Sequence, residues 1–190
     1  MSTLRREQLI RIVHEHYPVH LEMVDPAHGD AEETRRLRAK QEQARGDRRR
    51  LVALMEAIEA GAPGVSVMDM SYLTYDAGYT LRMNADPEDE SSTRWREIVA
   101  CISVIAPVYA LFQARIERSD TGEHDSTVAY SPDPDIVPLW EKTATLIEQM
   151  FGYDYLGPDL GLQPVPDVQV QNAPLGEATL YDALLTPQRD

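Results

Sequence analysis

The longest apolar run in the chain is IVACISVIAPVYALF, Ile98 to Phe112, and any fold has to be built around it. A bilayer span needs ~20 apolar residues, and this run has 15. Pro107 also interrupts it, because proline lacks a backbone donor and clashes with a preceding helical turn. The run is therefore expected to form the centre of a water-excluding core. Ahead of it, Ser92 or Thr93 can cap a helix. Trp95, Ile98, Val99, Ile102 and Ile105 follow, and beyond Trp95 the segment is apolar nearly all round, which predicts a central buried helix. After Pro107, VYALFQARIE reads as a strand. STVAY, beyond the polar turn RSDTGEHD, reads as its hairpin partner. One kinked helix continuing to Arg118 is the alternative reading.

On either side of this core the pattern is helical, then alternating, then helical again. Ser2 or Thr3 can cap a first helix with Leu9, Ile12, Val13 and His16 on one face, ended by Pro18. Asp30 with Glu33 suggests a capping box for a long helix over 31–60. At 1.5 Å per residue that helix would be roughly 45 Å long, so its first half is expected either to project or to be broken near Gly46. VSVMDMSYLTY, the turn DAG and YTLRM read as a β-hairpin. Pro138 suits the first turn of a last long helix, with Ile136, Trp140, Ala144, Ile147 and Phe151 along one face.

The expected fold class is α+β: a small antiparallel sheet with helices packed on one face, a long N-terminal helical pair and an extended C-terminal arm. One domain over 1–190 is expected, comprising the helical pair (1–62), the α+β core (65–151) and the arm (152–190) packed on that core. In the arm, PVPDVQVQN fits one short extended segment, and LGEATLYDALL places Leu180, Leu184 and Leu185 near one side of a short helix. Such a segment can cover a sheet face or edge and hide unpaired backbone groups.

Charge narrows the choice of partner. The formal net charge is −14, unevenly distributed. Residues 1–50 hold 11 Lys and Arg against 9 Asp and Glu, and residues 51–190 hold 7 against 23. Phosphates would be repelled by the C-terminal part, so nucleic acid is not an expected partner. A basic protein surface would be attracted and steered. Within 31–50 the arginines alternate with Glu32, Glu33, Glu42 and Asp47, the pattern of a solvated, ion-paired helix face. No apolar h-region follows the N-terminus, and the one cysteine, Cys101, lies in the apolar run. A reducing, cytoplasmic setting and a core role for that thiol are expected.

Catalytic and metal motifs are not apparent. His14, His16 and His20 are close in sequence, but Pro18 breaks the turn that would align His16 with His20, and the H-E-x-x-H order is absent. There is no G-x-S-x-G elbow, no phosphate loop and no dinucleotide fingerprint. No catalytic residue, cofactor or metal is assigned, and an enzyme is not expected; a small hydrolase with a dispersed site ranks last. Trp95 and Trp140 read as core anchors. The acids fall in three turn-like clusters: Asp86, Glu88, Asp89 and Glu90; Asp120, Glu123 and Asp125; Asp133 and Asp135. These nine are the candidate partner-binding residues.

The segments IAPVYALF, SPDPD leading to a helix that ends FGYDYL, and the closing PVPDVQVQN…LGEATLYDALL resemble immunity-type proteins of bacterial polymorphic-toxin systems. The resemblance covers most of residues 70–185. It implies a protein that binds and blocks a cognate toxin in the cytoplasm of the producing cell, and it carries no functional residues across. A nuclease toxin would have a basic phosphate-binding cleft, which an acidic face can occupy. The alternative is a homo-oligomeric structural or scaffolding protein, for instance a homodimer, that associates through the seam Leu37, Ala44 and Leu51.

Overall fold

Ile98 to Phe112 folds back on itself. In the computed structural model, which describes residues 5–86, 93–119, 121 and 123–185, the run forms two antiparallel strands, β3 (Arg94–Ser103) and β4 (Val108–Arg118). The expected central helix is thus a strand, and the kinked-helix alternative falls with it. The reason lies in burial on both sides. Ile98, Ala100 and Ile102 face one layer of core, while Val99 and Cys101 face the other. A strand buried on both faces loses its period-two alternation and looks like a buried helix.

β1 (Val67–Asp69), β2 (Gly78–Asn84), β3, β4 and β5 (His124–Ala129) form an antiparallel sheet in that order. β5 pairs only with Gln113–Arg118 of β4. Beside the other half of β4, β6 (Asp154–Tyr155) pairs in parallel with Val108 and Tyr109. The fold is α+β, and VSVMDMSYLTY…YTLRM is indeed an antiparallel pair, though joined through Met70–Ala77 rather than a tight DAG turn.

Four helices precede the sheet: α1 (Arg6–His16), α2 (Pro26–Asp30), α3 (Glu32–Gly46) and α4 (Arg49–Gly61). The long helix is broken just after Gly46. Asp47 accepts the Arg49 backbone N–H at 3.4 Å and the Arg49 Nε at 2.9 Å, which starts a new helix. The proposed Asp30 cap is also replaced: Asp30 ends α2, itself capped by Asp25, and Ala31 precedes α3 with no side-chain cap. Ser2 and Thr3 lie outside the described residues. Leu51, Leu54 and Ile58 of α4 and Ile147 of α5 (Val137–Phe151) pack on Leu81, Met83, Ile98, Ala100, Ile102 and Leu111, one face of the sheet.

Among the described residues the opposite face is covered at one end only. There α1 (Leu9, Val13), Tyr17 and the C-terminal arm bury Cys101, Val108 and Ala110. The arm runs through α6 (Pro158–Gly161) to α7 (Leu180–Leu184), which is fully buried and capped by Thr179 with Asp182. It is held by Val165 N–H donating to Ala178 O at 2.8 Å and by a bridge between Val168 and Val19. Leu37 and Ala44 are partly buried against the core and Leu51 is fully buried, so the seam offered for self-association faces inward.

Beside Gln41 of α3, whose Nε2 donates to Asp76 O at 3.1 Å, lies a buried carboxyl. Asp76 is 7% exposed, and burial pushes its pKa up to about 6 against a lowering hydrogen bond from the Tyr72 backbone. Its charge in turn raises the neighbouring Tyr17 and Cys101, both already raised chiefly by their own burial. A carboxyl raised in the folded state stabilises the fold fully below its unfolded pKa, and that stability is lost as pH rises through about 6. Asp76→Asn is therefore expected to stabilise the protein at pH 7.5 by about 1 kcal/mol, after discounting the full shift for screening. Below pH 4 it should make little difference, and urea melts across pH 3.5–7.5 would read the convergence.

Candidate functional site

The uncovered half of the second sheet face is a cavity of about 500 Å³. Strand alternation builds it. Trp95, Glu97 and Val99 on β3 stand across from Ile116, Ala114 and Phe112 on β4, and Ser126 and Val128 of β5 continue the rows. Ala114 opposite Glu97 leaves the space that a larger side chain would fill. An aromatic wall closes the packed end: Tyr181 of α7 stacks on Tyr130 at 5.8 Å and meets the edge of Phe112 at 5.2 Å. Trp95 and His124 meet edge to face at 5.6 Å across the other end.

One polar group is set into this apolar surround. The Glu97 side chain is 8% exposed. Its Oε1 accepts from Trp95 Nε1 at 3.1 Å. Its Oε2 is buried and, among the described residues, accepts no hydrogen bond; the Arg82 guanidinium stands 3.7 Å away, too far for one. Trp95 is therefore a cavity wall rather than a core anchor, whereas Trp140 packs half-buried against the helix-covered core. Glu97 is not among the residues the sequence marks, because the pattern of this segment predicts a helix and the structure makes it strand β3. The signal available was W-x-E-x-V, an acid inside an alternating apolar strand.

The β2–β3 and β4–β5 connections both leave from the end marked by Asn84, Arg94, Arg118 and His124. Glu88, Asp89, Glu90 and Asp120 lie outside the described residues, but Asp86, Glu123 and Asp125 flank those connections, the last two exposed. Asp86, Asp133 and Asp135 are not free surface acids: they converge on Arg96, on the sheet face away from the cavity. Arg96 Nη2 is 2.6 Å from Asp86 Oδ1 and 2.7 Å from Asp135 Oδ2, and Arg96 Nη1 is 3.3 Å from Asp133 Oδ2. Arg115 at 2.5 Å and Gln113 at 2.7 Å complete the shell of Asp133. Arg115 and Gln113 hold the Asp133 carboxyl below the usual range, and Arg96 does the same for Asp135. Arg96, which no sequence motif marks, ties Asp86, Asp133 and Asp135 into an intramolecular clasp.

The remaining candidates have structural partners. His14 meets Asp167 at 2.9 Å, His16 is buried with Nδ1 2.8 Å from Ile12 O, and His20 occupies a left-handed φ of 59°. Among the described residues no group of His, Cys, Asp and Glu could hold a metal. The Cys101 thiol is buried and pushed up to about 12, chiefly by that burial. Around the α3–α4 break the basic face is ion-paired, Arg49 with Asp47 and Arg48 with Asp69, while Arg50 lies 5.5 Å over the Phe151 ring. No helix among the described residues is long and apolar enough to cross a membrane. No protein-family model, curated protein or solved structure matches this chain.

Proposed function

We propose that this chain is a non-catalytic binding protein of the immunity type, one that holds and blocks a cognate bacterial toxin bearing a basic surface. The observation that carries the reading is topological. Two hairpin connections, flanked by Asp86, Glu123 and Asp125, leave the sheet at one end, beside an open and partly apolar sheet face. Negative charge around an apolar centre is the arrangement that steers a basic partner quickly and then holds it by exclusion of water. A nuclease would suit, because its phosphate-binding cleft is basic. The net charge of −14 supports the same direction of steering. The internal clasp narrows the earlier list: Asp86, Asp133 and Asp135 organise the surface, and Glu88, Asp89, Glu90, Asp120, Glu123 and Asp125 are the acids left to meet a partner.

The product of the adjacent gene is the candidate toxin to test. A variant with Glu88, Glu90 and Glu123 changed to Gln and Asp89 and Asp125 changed to Asn should associate at least tenfold more slowly at low salt, with a flatter salt dependence. Its melting curve should match the parent's. Failure of the parent chain to bind that toxin, or equal association rates for the two, would overturn the proposal.

A further inference from the structure

We propose that the sheet-face cavity receives a single arginine side chain from the partner, with its guanidinium on Glu97 and its stem on the apolar floor; this rests on the partner-binding reading above. Three features of the cavity select that group. The first is the orphaned acceptor. Among the described residues Glu97 Oε2 is buried without a hydrogen bond, an unfavourable state until a donor arrives. Arg82, at 3.7 Å, offsets the charge of Glu97 without supplying that donor.

The second feature is the wall. Trp95, Phe112, Tyr130, Tyr181 and His124 surround the cavity with rings. A guanidinium is planar, weakly hydrated and stacks on aromatic faces, whereas an ammonium is compact and strongly hydrated. The third is size and field together. About 500 Å³ is on the order of fifteen waters at ~30 Å³ each, room for a long side chain and far more than one bridging water. Exposed Glu123 and Asp125 stand at the same end of the sheet, so the donor that is drawn in is a cation. A neutral apolar side chain would leave Glu97 Oε2 unpaired, and an anion seated on Arg82 would face Glu97.

The test needs no partner. In a Trp140→Phe background, fluorescence reports on Trp95 alone. Benzamidinium, an aromatic amidinium, should give a saturable change and bind at least tenfold more tightly than benzoate, which has the same shape and the opposite charge. Glu97→Gln should weaken benzamidinium at least tenfold and leave benzyl alcohol unchanged. Equal binding of benzamidinium and benzoate, a preference for benzoate, or no saturable change in the parent chain overturns the proposal, and none of these outcomes depends on how the Gln variant folds. The two readings fail separately. If benzamidinium binds as expected but neutralising the rim acids leaves toxin association unchanged, the pocket stands and the acidic interface falls. If the rim acids matter and benzamidinium does not bind, the interface stands and the arginine pocket falls.

Discussion

Tyr181→Ala will destabilise the protein by about 4 kcal/mol, the range for deleting a fully buried aromatic side chain. Tyr181 is 0% exposed and is the point where the C-terminal arm grips the sheet. Its ring stacks on Tyr130 and abuts Phe112, and its hydroxyl donates to Leu156 O at 2.9 Å. Gly161 of α6 lies directly against the ring, so close that a Cβ at that position would collide with it. The surrounding atoms are strand and capped helix, which collapse poorly into a void. Tyr181→Phe separates the contributions: the stacking survives and one hydrogen bond goes, so about 1 kcal/mol is expected. Urea denaturation of the three proteins, with the slope checked for constancy, measures both values. A loss below about 1.5 kcal/mol for the alanine variant would mean that the arm is not a cooperative part of the fold.

Removal of Arg96 is expected to have the next largest effect. Arg96→Ala leaves Asp86, Asp133 and Asp135 facing one another without their shared cation. Hydrogen bonds to charged groups contribute about 1.5–3 kcal/mol each where partly buried, and solvent screening reduces their sum, so a loss of about 2–3 kcal/mol is expected. Arg96→Met would keep the stem and lose the charge, with a similar result. Two further measurements distinguish like-charge repulsion from lost packing. The deficit should shrink in 1 M NaCl, where the screening length is about 3 Å. It should also shrink toward pH 3: carboxyls held low in the folded state lend stability above their unfolded pKa and lose it as pH falls through the folded value. A deficit independent of salt and pH would assign the effect of Arg96 to packing alone.

These two residues show where sequence reading stopped. Neither Tyr181 nor Arg96 belongs to a motif, and each acts on groups far away along the chain. Arg96 lies ten residues from Asp86 and thirty-nine from Asp135. The start of α5, by contrast, was legible at Pro138, because a missing backbone donor costs nothing in the first helical turn. A break near Gly46 was one of two expectations for the helix over 31–60, and the structure selects it over projection. The one large misreading, β3 as a helix, fell on the segment whose structure depends most on its neighbours.

Local sequence signals suffice for the α+β class, the apolar centre at Ile98 to Phe112, the hairpin pairs flanking it, the covering arm and the acidic balance of residues 51–190. All of these follow from local propensity, hydrophobic content or plain charge counting, which need no partner along the chain. Tertiary packing alone buries Glu97 in an open sheet face with one oxygen unpaired among the described residues, gathers three aspartates on Arg96, and brings the β2–β3 and β4–β5 connections to one end of the sheet. Strand register makes those choices. It places every second side chain on a common face with residues tens of positions away, and neither composition nor spacing within a single segment carries that information.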